Sequence, residues 1–177
     1  MRLDRLDLTR YGKFTERSLD FGAAQPGKPD FHLVYGPNEA GKSTLFSAYL
    51  DVLFGIERTS AYGFLHPYPL MRVGGRFSIG AEHHEAYRLK RNQASLVTAD
   101  DRPLPDTLFG AVLGGMDRNA YREEVRETLA DVLRQLPKEA RSLLAGDEAA
   151  EEALLSALAR EGADAVLARL GGEGERA

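Results

Sequence analysis

The sequence predicts an α/β fold, and two residue patterns support this prediction. Apolar and polar residues alternate at 2–10 and again in short runs between 76 and 99, as in half-buried strands of an antiparallel sheet. Between these regions, an apolar run at 31–35 leads into a segment whose apolar residues recur every three or four positions. That spacing is typical of an amphipathic helix, so strands and helices are both expected.

The composition fits a globular domain. The 177 residues are 43% apolar and 28% charged, with a formal net charge of −4, which gives no overall electrostatic reason to expect a nucleic-acid or membrane surface. There is no cysteine, which excludes disulfides, thiolate metal sites and a cysteine nucleophile and fits a cytoplasmic location. No signal peptide is expected at the N-terminus, and no run approaches the roughly 18 apolar residues of a membrane helix.

The N-terminal part is predicted to contain three strands. Residues 2–10 form the first, the segment Tyr11–Phe14 makes a turn, and residues 17–21 pair back on the first strand. Residues 22–30 are rich in Gly and Pro and indicate a loop. The run at 31–35 is nearly all apolar, as expected for a strand that is buried on both faces.

A helix is predicted to begin at Gly41 and to stop near Gly55. Its apolar residues are Leu45, Ala48, Tyr49, Val52 and Leu53. They occupy one face at helical spacing. Residues 58–75 are predicted to form a long loop, because Pro67 and Pro69 disfavour regular structure.

The C-terminal part is predicted to be a meander followed by helices. Short alternating runs at 76–80, 85–91 and 95–99 indicate three strands, and the pattern becomes helical from Pro103. Two apolar stripes support the helices: Tyr121, Val125, Leu129, Val132, Leu133 and Leu136, then Ala149, Ala150, Ala153, Leu154, Ala157 and Leu158.

We therefore predict three regions. They are a lobe at 1–116, a helical extension at 117–170 and a disordered tail at 171–177. The heptad-like spacing within 123–136 spans only two turns, which is too short to assign a coiled coil, although the extension could be the root of one.

The segment GPNEAGKS, residues 36–43, matches the phosphate-loop pattern G-x-x-x-x-G-K-S/T at every fixed position. Glycine at 36 and 41 permits backbone angles and a close approach to phosphate that a side chain would prevent. The loop amides and the positive end of the following helix together form an anion cradle. The predicted nucleotide-binding residues are Gly36, Pro37, Asn38, Glu39, Ala40, Gly41, Lys42, Ser43 and Thr44.

Three side chains of this loop have specific predicted roles. Lys42 reaches the β- and γ-phosphates and stabilises their charge during catalysis. The hydroxyl of Ser43 is the expected Mg²⁺ ligand, and Thr44 supports the α-phosphate side. The predicted cofactors are therefore a nucleoside triphosphate and Mg²⁺.

With the loop in place, the flanking sequence becomes informative. The segments RLDLTRYGKF, LVYGPNEAGKST and LDVLFGIERTSAYGFLHPYPLMRVGGRF closely resemble the N-terminal ATPase lobe of the YhaN-like branch of SMC-type repair ATPases, relatives of the SbcC nuclease subunit. The resemblance covers residues 1 to about 121 and weakens beyond that point.

This resemblance implies an ABC-type ATPase head with a mixed sheet and an antiparallel subdomain that faces adenine and ribose. It places Asn38 and Glu39 in the loop that closes over the phosphates, and the segment Arg10–Phe14 near the nucleotide edge, so Arg10 joins the predicted site. It also implies ATP, rather than GTP, held between two heads that open and close around DNA, with a nuclease subunit as a possible partner.

A head that hydrolyses ATP also needs an acidic strand end and a Ser-Gly-Gly signature helix. Asp100 and Asp101 follow a short run but have the composition of a turn. Asp147 and Glu148 are better explained by a helix N-cap at 147. No Ser-Gly-Gly sequence occurs, so both elements are expected from a C-terminal lobe or a second head, and this chain alone should be nearly inactive.

Other polar residues are predicted to have no role at the site. His66, His83 and His84 are expected to be solvated turn residues rather than metal ligands. Arg88 and Lys90 share a strand face that is expected to be solvated, with Arg72, Arg76 and Arg91 nearby in sequence; contact with phosphates is the alternative. Gln135 could be the glutamine between the lobes of the resembling family, but it lies within a helical stripe.

Two other functions remain open from the sequence. A small P-loop kinase also begins with strand, loop and helix, although this chain has two strands before the loop and no Arg-rich lid. A nucleotide-gated interaction module, with residues 117–170 binding a partner subunit, differs from the first hypothesis mainly in lacking a catalytic second half.

Overall fold

The computed structural model describes residues 1–24, 32, 34, 36–90 and 95–135, with backbone only for 129–135. The strands are β1 (Arg2–Tyr11), β2 (Phe14–Asp20), β3 (Arg72–Ile79), β4 (Glu82–Leu89), β5 (Leu96–Val97) and β6 (Pro103–Leu104). The helices are α1 (Lys42–Phe54), α2 (Thr107–Leu113) and α3 (Arg118–Gln135), with a 3₁₀ turn at Tyr68–Leu70. Two compact units are present, Met1–Arg118 and a second that begins at Asn119.

The six strands form one sheet in the order β2-β1-β3-β4-β5-β6, and each neighbouring pair is antiparallel. The predicted first hairpin is confirmed: β1 and β2 pair through a two-residue turn at Gly12 and Lys13, where Gly12 has φ 58°. Left-handed backbone at the first turn position is what a tight hairpin requires. Among the described residues the sheet has no parallel pair, so the parallel part of the predicted mixed sheet is not seen there.

Helix α1 packs on β1, β3 and β4, and the core lies between the helix and the sheet. The largest fully buried side chains are Tyr11, Phe77, Phe109, Leu8, Met71, Leu96, Val52 and Val73. Phe77 of β3 meets Phe109 of α2 edge to face with ring centroids 5.0 Å apart, which joins α2 to the same core. In the described part of the chain, no helix is both long and apolar enough to cross a membrane.

Two predicted element boundaries are wrong. The loop predicted at 58–75 ends earlier, because β3 begins at Arg72. Gly74 and Gly75 resemble turn residues, but they lie within β3 where a Cβ would collide with Tyr87 and with the backbone of Arg5. The glycines therefore permit close strand packing instead of breaking the strand.

The helical region also begins later than predicted. Residues 103–104 form β6, and the first helix starts only at Thr107. The 3₁₀ turn at Tyr68–Leu70 contains Pro69, which shows that a proline excluded from a strand can still occupy a short turn. Of the predicted buried strand at 31–35, His32 and Val34 are described; neither is in a strand, and both are exposed. Residues 31, 33 and 35 lie outside the described residues.

The prediction of a solvated face for Arg88 and Lys90 is wrong. Arg88 is 5% exposed and Lys90 is 4% exposed. Nε of Arg88 donates to the Val52 carbonyl oxygen over 3.1 Å, and Nζ of Lys90 donates to the Arg58 carbonyl oxygen over 2.7 Å. The last carbonyls of a helix and the turn after it need donors, and a cation there also interacts favourably with the helix dipole.

A polar network covers part of the sheet around Asp7. The carboxylate accepts hydrogen bonds from Arg5 at 2.9 Å, from Ser18 at 2.6 Å and from Tyr87 at 2.7 Å. Burial alone would raise the pKa of Asp7, but these hydrogen bonds outweigh burial and hold the pKa below its ordinary value of 3.8. Burial and the bond to Asp7 raise the pKa of Tyr87 to about 12. The network therefore requires an ionised Asp7.

This network predicts acid sensitivity. Because the pKa of Asp7 is lower in the folded state, its contribution to stability is present above the unfolded pKa and is lost as the pH falls through the folded pKa. Asp7→Asn should lower the free energy of unfolding at about pH 7 by roughly 1–3 kcal/mol. The difference from the wild type should shrink as the pH falls below the ordinary carboxyl pKa of 3.8, as followed by urea unfolding.

Glu85→Gln is the matched control, because Glu85 is an exposed partner of the same Arg5. It should change stability by less than about 0.5 kcal/mol at every pH. A constant difference between Asp7→Asn and the wild type across this pH range would contradict the account.

Candidate functional site

The predicted phosphate loop lies directly before α1 and is a compact turn. The amide of Ala40 donates to the Pro37 carbonyl oxygen over 3.1 Å. Two residues have left-handed backbone angles, Glu39 with φ 65° and Gly41 with φ 105°. At Gly36, a Cβ would come within 3.0 Å of the Ala40 Cβ, so the two ends of the turn lie close together. The loop thus has the tight curvature that its glycines predict.

The first turn of α1 is open to an anionic ligand. Its N-cap residue is Gly41, no side chain caps the helix, and the first turn contains no acidic residue. Ordinary helices use Ser, Thr, Asp or Asn at this position to bind the free amides. An uncapped helix of 13 residues, preceded by a glycine-rich turn, provides donors and a positive dipole end for phosphate.

The loop side chains lie at the surface. Lys42 is exposed, and its Nζ donates to the carbonyl oxygens of Gly36 and Pro37, the latter over 2.9 Å. Ser43 is also exposed, and Thr44 is half-buried. The ammonium group of Lys42 is therefore held at the first two residues of the loop, where it adds positive charge near the helix terminus.

The tip of the first hairpin, residues 12–14, packs directly against the phosphate loop. A Cβ at Gly41 would stand 2.6 Å from Cζ of Phe14, and a Cβ at Gly12 would stand 2.7 Å from Cγ2 of Thr44. Nζ of Lys13 donates to the Glu39 carbonyl oxygen. The structure therefore brings a second lysine to the loop, a residue to which the sequence analysis assigned no individual role.

Arg10, which was also predicted to be near the nucleotide, is not part of the hairpin tip that packs on the loop. It lies on β1, opposite Thr15 of β2 and Arg72 of β3, and its side chain is exposed. The side chain of Arg10 forms no hydrogen bond or ion pair with any residue that the structure describes. Its proposed contact with nucleotide stays a prediction.

Residues 62–66, which follow α1, bind the first hairpin through hydrogen bonds and ring stacking. The Tyr62 carbonyl oxygen accepts a hydrogen bond from the Gly12 amide over 2.9 Å, and the Tyr62 ring stacks on Tyr11 at 5.1 Å. Nε2 of His66 lies 2.8 Å from the Phe14 carbonyl oxygen. His66 is only 8% exposed, so the prediction of a solvated turn histidine is wrong for this residue.

A buried carboxylate links the middle of α1 to two other elements. Asp51 accepts hydrogen bonds from Tyr11 Oη at 2.6 Å and from Arg118 NH1 at 2.7 Å. Burial raises the pKa of Asp51 despite these partners, and burial together with Asp51 also raises the pKa of Tyr11. Arg118 donates in addition to the Gly55 carbonyl oxygen at the end of the helix. The periodic pattern of α1 gave no sign of this buried polar residue.

The first acidic pair dismissed in the sequence analysis lies in a turn, as predicted. Asp100 and Asp101 follow the two-residue strand β5, and the Thr98 amide closes the turn on the Arg102 carbonyl oxygen at 2.8 Å. The carboxylate of Asp101 forms an ion pair with Arg72. Asp147, Glu148, Arg91 and the side chain of Gln135 lie outside the described residues.

His83 and His84 lie on strand β4, so the prediction that they are turn residues is wrong. His83 is exposed and lies 3.4 Å from Asp4, whereas His84 is half-buried and lies 3.4 Å from Glu82. Within the described ranges, no group of three or more metal-binding side chains is present. Arg76 approaches Asp20 at 4.0 Å on the same sheet.

Comparison with known proteins gives one family. A family model described as AAA domain matches residues 1–176. The chain is also 30% identical over 131 residues to YhaN of Bacillus subtilis (strain 168), which is itself described as uncharacterized. That match covers 69% of this chain but only 12% of the length of YhaN. No solved structure gives a significant match.

The contact between hairpin tip and loop can be tested with Gly41→Ala. The new methyl group would collide with Phe14 and would also occupy a left-handed position, so the tip should move away from the loop. We expect a loss of more than about 2 kcal/mol in stability and at least about fivefold faster amide hydrogen exchange at residues 11–15.

Gly80→Ala provides the control, because Gly80 has φ 62° but open space around its Cβ position. It should cost about 1–2 kcal/mol through backbone strain alone and leave exchange at 11–15 unchanged. Equal effects of the two substitutions on that segment would show that the collision with Phe14 is unimportant.

Proposed function

We propose, because this chain belongs to the AAA domain family, that residues 36–44 bind the triphosphate of ATP together with Mg²⁺. Membership of this family supports an ATPase-type function for the chain. The observation that carries the proposal is the uncapped N-terminus of α1 behind a glycine-rich turn, with Lys42 lying over that turn. A helix end without a side-chain cap or an acidic residue is suited to phosphate.

The residues present fit these ligands. The loop amides and Lys42 would hold the phosphates, and the exposed hydroxyl of Ser43 would hold Mg²⁺. When bound, the metal ion supplies neutralising charge to the phosphate oxygens. Lys13, held at the Glu39 carbonyl oxygen, adds a second positive charge beside the loop and is a further candidate contact.

We also propose that the catalytic carboxylate and the signature serine come from a C-terminal lobe or a second head. No Ser-Gly-Gly sequence occurs in the chain, and the described acidic pair at Asp100 and Asp101 lies in a turn.

Action on DNA is proposed for the complete protein, because the sequence resembles that of SMC-type repair ATPases. Because the match covers only 12% of YhaN, the DNA substrate, a nuclease subunit and the coiled coil are proposals about a longer assembly. The role of this lobe in such an assembly would be to bind ATP and, with its second half, to couple hydrolysis to opening and closing around DNA.

Lys42→Ala tests the nucleotide site directly. Loss of the ammonium group should weaken Mg-ATP binding by at least about tenfold, measured by isothermal titration calorimetry or with a fluorescent ATP analogue. Arg17→Ala removes the same charge from an exposed position of β2 and should leave affinity within about twofold. Unchanged affinity in Lys42→Ala would refute the site.

A further inference from the structure

We propose that His66 is a positioning residue for the phosphate loop. Its imidazole holds the hairpin tip, residues 12–14, in the place from which the tip packs on the loop. The proposal deepens the function given above and rests on it where nucleotide affinity is concerned. The structural part, that His66 determines how the tip meets the loop, can be tested without any ligand.

The hydrogen bond from His66 requires a proton on Nε2 of its ring. Nε2 lies 2.8 Å from the Phe14 carbonyl oxygen and 3.3 Å from Thr15 Oγ1. A carbonyl oxygen can only accept, so Nε2 must carry a proton. The neutral tautomer protonated on Nε2 and the imidazolium ion can both make this bond, whereas the tautomer protonated only on Nδ1 cannot.

In residues 64–66, the apolar side chains are exposed and the polar side chain is buried. Phe64 is 71% exposed and Leu65 is 57% exposed, while the polar His66 beside them is 8% exposed. Burial of Phe64 and Leu65 therefore does not hold residues 64–66 in place. A buried imidazole is stable when its donor is satisfied, and here the Phe14 backbone satisfies it.

Two hydrogen bonds fix the backbone on either side of Lys13. The Gly12 amide donates to the Tyr62 carbonyl oxygen at 2.9 Å, and the Phe14 carbonyl oxygen accepts from His66. Between them, Lys13 reaches the Glu39 carbonyl oxygen, and the ring of Phe14 covers Gly41. His66 thus acts on the loop through Phe14 and Lys13, because its hydrogen-bond partners Phe14 and Thr15 lie on the hairpin.

Three variants separate this role from a general loosening of the segment. His66→Leu removes the donor and keeps an apolar side chain of moderate size. His66→Gln keeps an N–H donor at a similar distance from the backbone. Tyr68→Phe is the matched control, because it removes another hydrogen bond of the same segment, from Tyr68 Oη to the Ser60 carbonyl oxygen at 2.8 Å, without touching the hairpin.

The first measurement is amide hydrogen exchange of the ligand-free protein, with residues 73–79 of β3 as the internal reference for global stability. His66→Leu should accelerate exchange at 12–15 and at the hydrogen-bonded amides of Ala40 and Leu45 by at least about fivefold relative to that reference. His66→Gln and Tyr68→Phe should remain within about twofold of the wild type. The second measurement, Mg-ATP affinity, should fall by about fivefold in His66→Leu and recover in His66→Gln.

Unchanged relative exchange at the Ala40 and Leu45 amides in His66→Leu would overturn the proposal. Tyr68→Phe behaving like His66→Leu would overturn it as well, because general loosening would then be sufficient. If the wild type failed to bind Mg-ATP, the proposed function would be refuted, and the exchange measurement would still decide the role of His66.

Discussion

The close approach of the first hairpin to the phosphate loop is the constraint on which the rest of the site depends. It is reciprocal: Gly12 lacks a side chain where Thr44 packs, and Gly41 lacks one where Phe14 packs. A side chain at either position would separate the two segments. Because β1 continues from this hairpin and pairs with both β2 and β3, the loop is held against a strand that is paired on both sides.

The two ends of α1 differ in whether side chains bind their free backbone groups. At its C-terminal end, Arg88, Lys90 and Arg118 donate to carbonyl oxygens of the last turn and of the residues after it. At its N-terminal end no side chain caps the amides. Cations at the C-terminus stabilise the helix, so its N-terminus can remain available for an anionic ligand. The helix thus joins a stable core to an open site.

Local patterns predicted the first hairpin, α1 and the phosphate loop, because alternation, helical spacing and a glycine motif depend only on neighbouring residues. The buried positions of His66, Arg88 and Asp51 depend on carbonyls and hydroxyls supplied by distant segments, and no local pattern reports those. Gly74 and Gly75 were predicted to lie in a loop for the same reason. Their glycine identity is required by close contact with neighbouring strands, and a local pattern does not report that contact. The sequence therefore did not predict which polar residues are buried.

ATP turnover is the most direct test of the claim that this chain is one half of an ATPase head. It should be measured for the chain alone and after addition of a polypeptide that carries an acidic strand end and a Ser-Gly-Gly helix, such as the C-terminal part of a longer relative. We expect almost no turnover alone and turnover at least about tenfold higher on mixing. Robust turnover by the chain alone would contradict the account, because a carboxylate within it, Asp100 or Asp147, would then have to be catalytic.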